Sequence, residues 1–576
     1  MRLMVLSSFL FLLLAVPLLA DEPSVTPGDT ANAVPAPEPA TPEPVAPEPS
    51  APEPATPEPP APEPDRSAFE LPDTPPVPFN GIDPSVLTAL AAKGIKPAPV
   101  CSDAVFIRRV YLDVIGTIPK IDEVQAFLAD ERPDKRALLI DTVLARPEFI
   151  DYWALKWSDT LRIKAEFPIN LWPNGAMVYH RWIRESLRTN KPFDLFAREL
   201  LTSSGSDFRN GPANFYRAVQ NRDAHTIAEA VGLTFMGVRT GSWANEQRDQ
   251  MSVFFSRVRY KKTAEWKEDI VYWDDTPLDS PDIVFPDGTP GRVEPGQDPR
   301  VVFTDWLIRP ENPWFARNAA NRIWFWLFGI GLVQEPDDFR PDNPPSIPPL
   351  LDYLADELVK SNYDMRQLYR LILNSRTYQQ SSILRSDHPE GALLFAAYPT
   401  RPVEAEVVQD MLRQIIGINI DYMSEVPEPF TVIPNWRRTI TLADGSITSA
   451  FLETFGRPTR DSGVEADRNT RVNVAQRMYF YNSADVANCV EQSGRIRGAA
   501  GNAANAARAE AEKQKEPFNY RRFVLDYLWL SFLSRRTTQQ EYDAIEVMFQ
   551  QKRSENDVYA DLIWTLINMK EFSCKH

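Results

Sequence analysis

The sequence predicts a mainly α-helical body of two lobes with a partly β junction, preceded by an extended stalk. Three observations carry that prediction. Apolar residues recur at helical spacing through most of the chain from Pro84 onward. The stretch Asn312 to Gly331 is apolar nearly all round, as a buried helix requires. P-E-P recurs six times between Pro37 and Pro64, every five residues, a composition that cannot bury a core.

In chain order, residues 1–20 read as a signal peptide. Arg2 supplies the positive start, Met4 to Leu19 is apolar, and Ala20 precedes Asp21 at a plausible cleavage point. Residues 21–80 are a disordered Pro/Glu-rich linker. Polyproline II rises about 3.1 Å per residue, so thirty such residues reach roughly 90 Å. No later run is long and apolar enough to span a bilayer. The expectation is an exported protein of the periplasm or cell surface, with no transmembrane helix in the mature chain.

The first lobe, 81–263, reads as a series of helices. Val105, Tyr111 and Leu112 mark one; Val124, Phe127 and Leu128 a second; Leu138, Leu139, Val143 and Leu144 a third. Pro147 opens a fourth, rich in aromatic residues to Trp157. Met177–Leu187, Phe193–Leu201 and Asp223–Met236 follow, with Asp223 at an N-cap. The junction, 264–300, is rich in Pro, Gly and Asp and predicts short strands or extended loops.

The second lobe, 301–576, begins with the central helix. Asn312 suits its N-cap, Pro313 its first turn, and Gly329 and Gly331 its stop. Arg317, Asn318, Asn321 and Arg322 share one polar stripe on it. Pro348–Lys360, Met365–Arg376 and Val403–Ile416 are amphipathic. Phe430–Leu442 has strand-like Thr, Val and Ile content. Phe451–Arg471 reads as irregular. Val472–Tyr481, Ser483–Gln492, Phe523–Leu533, Gln539–Phe549 and Asp557–Asn568 read as helices, and Gly498–Lys515 as an exposed helix or a link.

The formal net charge is −17, and an acidic body argues against a nucleic-acid partner. The three cysteines allow one disulfide in an exported chain. Cys101 opens the folded region and Cys574 nearly closes it, so Cys101–Cys574 is the preferred pair; the alternative is three buried thiols.

Familiar catalytic signatures are missing. There is no G-x-S-x-G, no G-x-x-x-x-G-K-[ST] and no G-x-G-x-x-G. His180, His225, His388 and His576 show no paired metal-ligand spacing. Asp274, Asp275, Asp279 and Asp282 are weak metal candidates, since they lack the spacing and central Gly of an EF-hand. Two polar clusters remain. Arg322 and Asn321 of the central stripe, candidate ligand-binding residues, precede Asp337 and Asp338, and the structural alternative is that a buried Arg322 pairs with one of the two. Arg401, Glu404, Glu406 and Asp410 combine with Arg457, Arg460 and Glu465. Its carboxylates Glu404, Glu406 and Asp410 are the candidates for acid–base work in glycan cleavage, and its arginines could hold sulfate or uronate groups. The structural alternative is an interlobe salt-bridge network.

Several phrases resemble a known family. They are FIRRVYLDVIGTIP (Phe106–Pro119), the long run Arg300–Phe339, LYRLILNSRTYQQSS (Leu368–Ser382), FLETFGRPTR (Phe451–Arg460) and DLIWTLINMKEF (Asp561–Phe572). In this order they resemble proteins that pair a planctomycete cytochrome-like domain with a planctomycete surface domain. The resemblance covers nearly all of the body. It implies an exported protein with no assigned reaction, from genes that often neighbour sulfatase-like ones. Many members carry a C-x-x-C-H haem signature after a G-V-R. Here Gly237-Val238-Arg239 leads instead to Ser242, Asn245 and Glu246 where the two Cys and the His would stand. Covalent c-type haem needs both thiols and the imidazole, so no haem cofactor is expected.

The functional expectation is an exported, haem-free binding or scaffold component of a cell-surface or polysaccharide-handling system. Its partner would be an acidic or sulfated polysaccharide or another surface protein. The alternative is a metal-dependent or carboxylate-based hydrolase or lyase acting on such glycans.

Overall fold

The amphipathic periods become helices close to where the sequence sets them. The computed structural model describes residues 66–417, 420–433, 436–468, 472–551 and 554–576. The leader and the P-E-P repeat lie outside them. Helix dominates, and strands are few and short. Pro147 occupies the first turn of its helix, Pro147–Thr160. The Asp223 carboxylate caps Ala224–Val231 by accepting from Thr226 N–H at 3.0 Å. The Ala-rich stretch is helical from Gly494 to Gln514, with Ala500 and Ala504 packed against Val524.

The central helix runs Phe315–Phe328, two residues later than its Pro313 implies. Asn312 still serves as the cap: its Oδ1 accepts from Trp314 and Phe315 N–H at 3.0 and 3.1 Å. The helix is buried on almost every side. Trp326 packs on Trp153 and Trp157 at ring separations of 5.5 and 5.3 Å, and Phe315 stacks on Phe193 at 4.9 Å. Helices from both sequence lobes therefore share one continuous apolar core. Residues 64–576 form a single compact unit, so the two lobes are not separate bodies.

The expected short strands lie in the 264–300 junction and just before it. Val258–Lys262 and Asp269–Trp273 pair antiparallel, and Gly205–Ser206 joins the far edge of the latter. Asp282–Val284 and Pro290–Arg292 form a hairpin. A third pair, Arg401–Pro402 with Cys574–Lys575, sets Arg401 opposite Lys575.

Two expectations are corrected. Phe430–Leu442 contains no strand among its described residues; a 3₁₀ turn, Thr439–Thr441, stands there. The Asp410 carboxylate takes the Thr439 and Ile440 N–H groups at 2.7 and 3.2 Å, donors a strand ladder would need. The cysteines are also unpaired: Cys101, Cys489 and Cys574 are free and buried. The C-terminal residues do lie against the first part of the described body, since Arg109 Nε donates to the His576 carbonyl at 2.8 Å. The Cys101 backbone pairs with Glu70 and the Cys574 backbone with Pro402, so the two cysteines sit on different strand pairings.

Burial has a consequence for acid stability. It pushes His180, beside Arg460, Arg184 and Arg437, down to about 3, and His576 down to about 4. Both histidines are neutral in the fold, whereas the unfolded chain takes up their protons as pH falls below 6.5. Their contribution is complete above pH 6.5 and is lost on acidification, at about 1.4 kcal/mol per pH unit per proton. His180→Leu should therefore lose stability between pH 6 and pH 4 less steeply than the parent by about one proton's worth. Urea midpoints at three pH values read this, and parallel slopes would contradict it.

Candidate functional site

The polar stripe of the central helix is the first group to place. Asn318 Nδ2 donates to Thr234 O at 3.0 Å and Arg322 Nη2 to Leu233 O at 3.2 Å. Both carbonyls lie in a π-helical turn, Gly232–Met236, whose wider winding leaves them free for side chains. Gly237 closes that turn at φ 64°, and a Cβ there would sit 2.5 Å from Asn318 Oδ1. Glycine is thus required by both conformation and space. Asn321 is spent on Val333, accepting from its N–H at 3.0 Å. Arg322 pairs with Asp337 at 2.5 Å and reaches Glu465 at 3.6 Å. The stripe docks one segment of the body on another, and its residues do not line the cleft described below.

The second cluster is larger than the sequence indicates. At its base the Asp113 carboxylate, fully buried, accepts from four donors: Tyr398 and Arg401 at 2.6 Å, Tyr378 at 2.9 Å and Lys575 at 3.2 Å. Glu404, just ahead of helix Ala405–Ile416, takes Lys156 and Lys575 at 2.8 Å and the Tyr152 hydroxyl at 2.9 Å. Glu406 receives both terminal nitrogens of Arg468 at 2.8 and 3.1 Å, with Arg457 at 3.7 Å. Asp159 receives Arg460 at 2.8 Å and Arg468 at 2.6 Å. Asp410 is turned away, onto the Thr439 and Ile440 backbone.

The electrostatics follow from burial and partners. Burial alone would raise Glu404, but Lys156, Lys575 and Arg401 outweigh it and hold the carboxyl far below its ordinary range. The same contest, with Arg468 as the main cation, lowers Glu406 and Asp159. Burial wins at Glu465, which is raised despite Arg322 and Lys156, and at Asp410, raised despite Arg438. Lys575 is lowered by burial, with Glu404 and Asp113 opposing.

Two neighbouring pockets that share wall residues, taken together as a two-chamber cleft, open on this network. The inner chamber, about 40 Å³, has Lys156, Arg401, Glu404, Glu465 and Arg468 in its wall, with Trp326 and Gly329. Gly329 ends the central helix at φ 72°, and a Cβ there would meet Arg401 Cδ at 2.6 Å. That close approach lets Arg401 Nη2 donate to the Trp326 carbonyl at the helix C-terminus. The outer chamber, about 250 Å³, is lined by Phe455, Phe480, Tyr481, Arg477 and Lys570 among others. Pro402, Val403 and Phe455 belong to both walls.

Of the sequence candidates, Arg401, Glu404 and Glu465 line the cleft. Glu406, Arg457 and Arg460 lie behind its wall as ion pairs. The weak metal candidates do not converge: Asp274 faces Arg259, Asp279 faces Arg257 and Asp282 faces Arg292. Among the described residues no group of three or more His, Cys, Asp or Glu is placed to hold a metal ion. Ser242, Asn245 and Glu246 are all exposed, at a 3₁₀ turn and the start of helix Asn245–Val253. Sequence reasoning missed Asp113, Lys156, Asp159, Arg468 and Lys575. A usable signal existed for Asp113 and Lys156, each a charged residue inside an otherwise apolar helical run.

Comparison with known families fits this picture. Residues 81–242 match the family described as PSCyt2, protein of unknown function (DUF1549). Residues 299–549 match PSD1, protein of unknown function (DUF1553). The protein is of the class that pairs two domains of unknown function. It carries the planctomycete cytochrome-like domain followed by the second of these domains. No curated protein and no solved structure matches the chain. Among the described residues no helix is long and apolar enough to cross a membrane.

The network predicts a large cost for a small change. Glu406→Gln leaves Arg468 and Arg457 short of their buried counter-charge and should destabilise the chain by about 3–5 kcal/mol. A urea midpoint shift of under about 1 kcal/mol would mean that the pair is solvated and contributes as surface pairs do.

Proposed function

We propose that this protein is an exported, haem-free binding or scaffold component of a cell-surface or polysaccharide-handling system, and that its ligand enters the two-chamber cleft. One observation carries the preference for binding over catalysis. Every carboxylate singled out for acid–base work is committed: Glu404 to two lysines, Glu406 to two arginines, Asp410 to backbone N–H groups. A general acid or base must reach substrate with a proton to move. A carboxylate locked between buried cations keeps its charge and its position, which suits a rigid wall.

The export reading rests on the leader sequence. The absence of haem chemistry rests on the donor set. A hydroxyl, an amide and a carboxylate at Ser242, Asn245 and Glu246 form no thioether bond, and no step of the function is routed through a haem. A partly exposed aromatic group, with Trp266 and Phe430 exposed and Trp172 half-buried, supports a contact role. Trp172, Trp266 and Phe430 have ring separations of 4.7–5.6 Å, with Lys267 over both indoles.

The test is to incubate the full chain with a panel of acidic and sulfated polysaccharides and measure retention and product together. The expected result is retention in affinity electrophoresis with no new reducing ends or unsaturated products. Product formation abolished by Glu404→Gln, in a chain that still folds, would install the hydrolase or lyase reading instead.

A further inference from the structure

In an acidic protein, the lining of this cleft is net positive. Five cations line its two chambers, Lys156, Arg401, Arg468, Arg477 and Lys570, against two carboxylates, Glu404 and Glu465. The outer chamber has only cations among its charged residues. Arg477 and Lys570 are exposed there, and neither makes a salt bridge to another described residue. In the inner chamber Arg468 is 8% exposed and Lys156 4%. Arg401 Nη1 and Arg468 Nε are buried and have no hydrogen-bond partner among the described residues. Buried guanidinium N–H groups are costly when left unpaired, and a planar fork is the natural partner of a carboxylate or sulfate.

The carboxylates of the network do not cancel this charge. Asp113, Glu404, Glu406 and Asp159 each face at least two cations. At physiological ionic strength screening acts over about 8 Å, so the local cations outweigh the distant acidic surface for a ligand inside the cleft. The inner volume of about 40 Å³ holds roughly three water-sized groups, the scale of one acidic headgroup. The outer 250 Å³, walled by Phe455, Phe480 and Tyr481, has room for the ring that bears it.

We propose that the cleft is an anion site, seating a carboxylate or sulfate group against Arg401, Arg468 and Lys156, with the sugar ring that carries it in the outer chamber beside Arg477 and Lys570. This rests on the binding reading above and adds the ligand class and the residues that select it. The shared chemistry is a ring with one negative group, from a uronate or from a sulfated sugar.

The experiment is calorimetric titration of the full chain, at low salt, with glucuronate, glucose 6-sulfate, glucose and inorganic sulfate. Either acidic sugar should bind at least tenfold more tightly than glucose. Whichever of the two binds more tightly identifies the source. The double variant Arg477→Glu with Lys570→Glu changes two exposed, unpaired side chains and should fold normally by circular dichroism. It should weaken the acidic sugar at least tenfold. Arg401→Lys keeps the charge and loses the fork, and should weaken it as well, with the thermal midpoint as its folding control. Undiminished binding by the double variant overturns the site while leaving the binding reading intact. Glucose binding as tightly as the acidic sugars overturns the anion assignment. Inorganic sulfate binding as well as the acidic sugars removes the outer-chamber part. If no acidic sugar binds but a polysaccharide is still retained, the cleft proposal fails alone. If neither binds, the binding reading fails with it.

Discussion

The Asp113 carboxylate is the contact on which the rest of the structure depends. It sits on helix Asp103–Val114, within the first matched family segment, and every one of its four donors comes from beyond residue 370. A fully buried carboxylate with four donors is compensated; with one or two removed it becomes a costly isolated charge. This explains why the two segments form one body. Neither can separate without breaking these ion pairs and uncovering the apolar core that both share. Arg108 and Arg109, on the same helix, repeat the logic by donating to Phe532, Phe572, Tyr378, Gln380 and His576 carbonyls.

A network of this kind is both scaffold and wall. Its inner members, Asp113, Glu406 and Asp159, fix the arginines and lysines that reach the cleft. A cation that faces solvent-filled space inside a fold must be held by carboxylates behind it, or the cost of burying it would turn it outward. The strongly lowered Glu404 carboxyl shows that arrangement, while at Lys575 burial outweighs the opposing pull of Glu404 and Asp113. The same commitments that make these carboxylates poor acids and bases make the cleft a stable, positive cradle.

Much of the helical architecture was legible because period and capping are local. Asn312, Pro147 and Asp223 act where the sequence places them. The partners of buried charges were not legible, because they are chosen across hundreds of residues. Arg401 and Glu404 stand out in sequence, yet nothing local shows that Lys575, one residue from the end, pairs with one and lies opposite the other. The strand expected at 430–442 failed for the same reason: a side chain from another helix, Asp410, takes its donors. The Cys101–Cys574 pairing was right that the C-terminal residues return to the start of the folded region and wrong about the thiols. The phrases that carry the family resemblance hold Arg109 and Asp113, Arg322 and Asp337, Tyr378, and Arg457 and Arg460, all of them members of the buried polar contacts.

One measurement tests the central claim most directly: that these ion pairs make two family segments a single cooperative body. Hydrogen exchange of the full chain, followed by mass spectrometry across a urea series, reads both segments separately. The account predicts that peptides from 103–114 and 149–160 lose protection at the same urea concentration as peptides from 315–328 and 405–416. Two well-separated transitions, one for each segment, would contradict it.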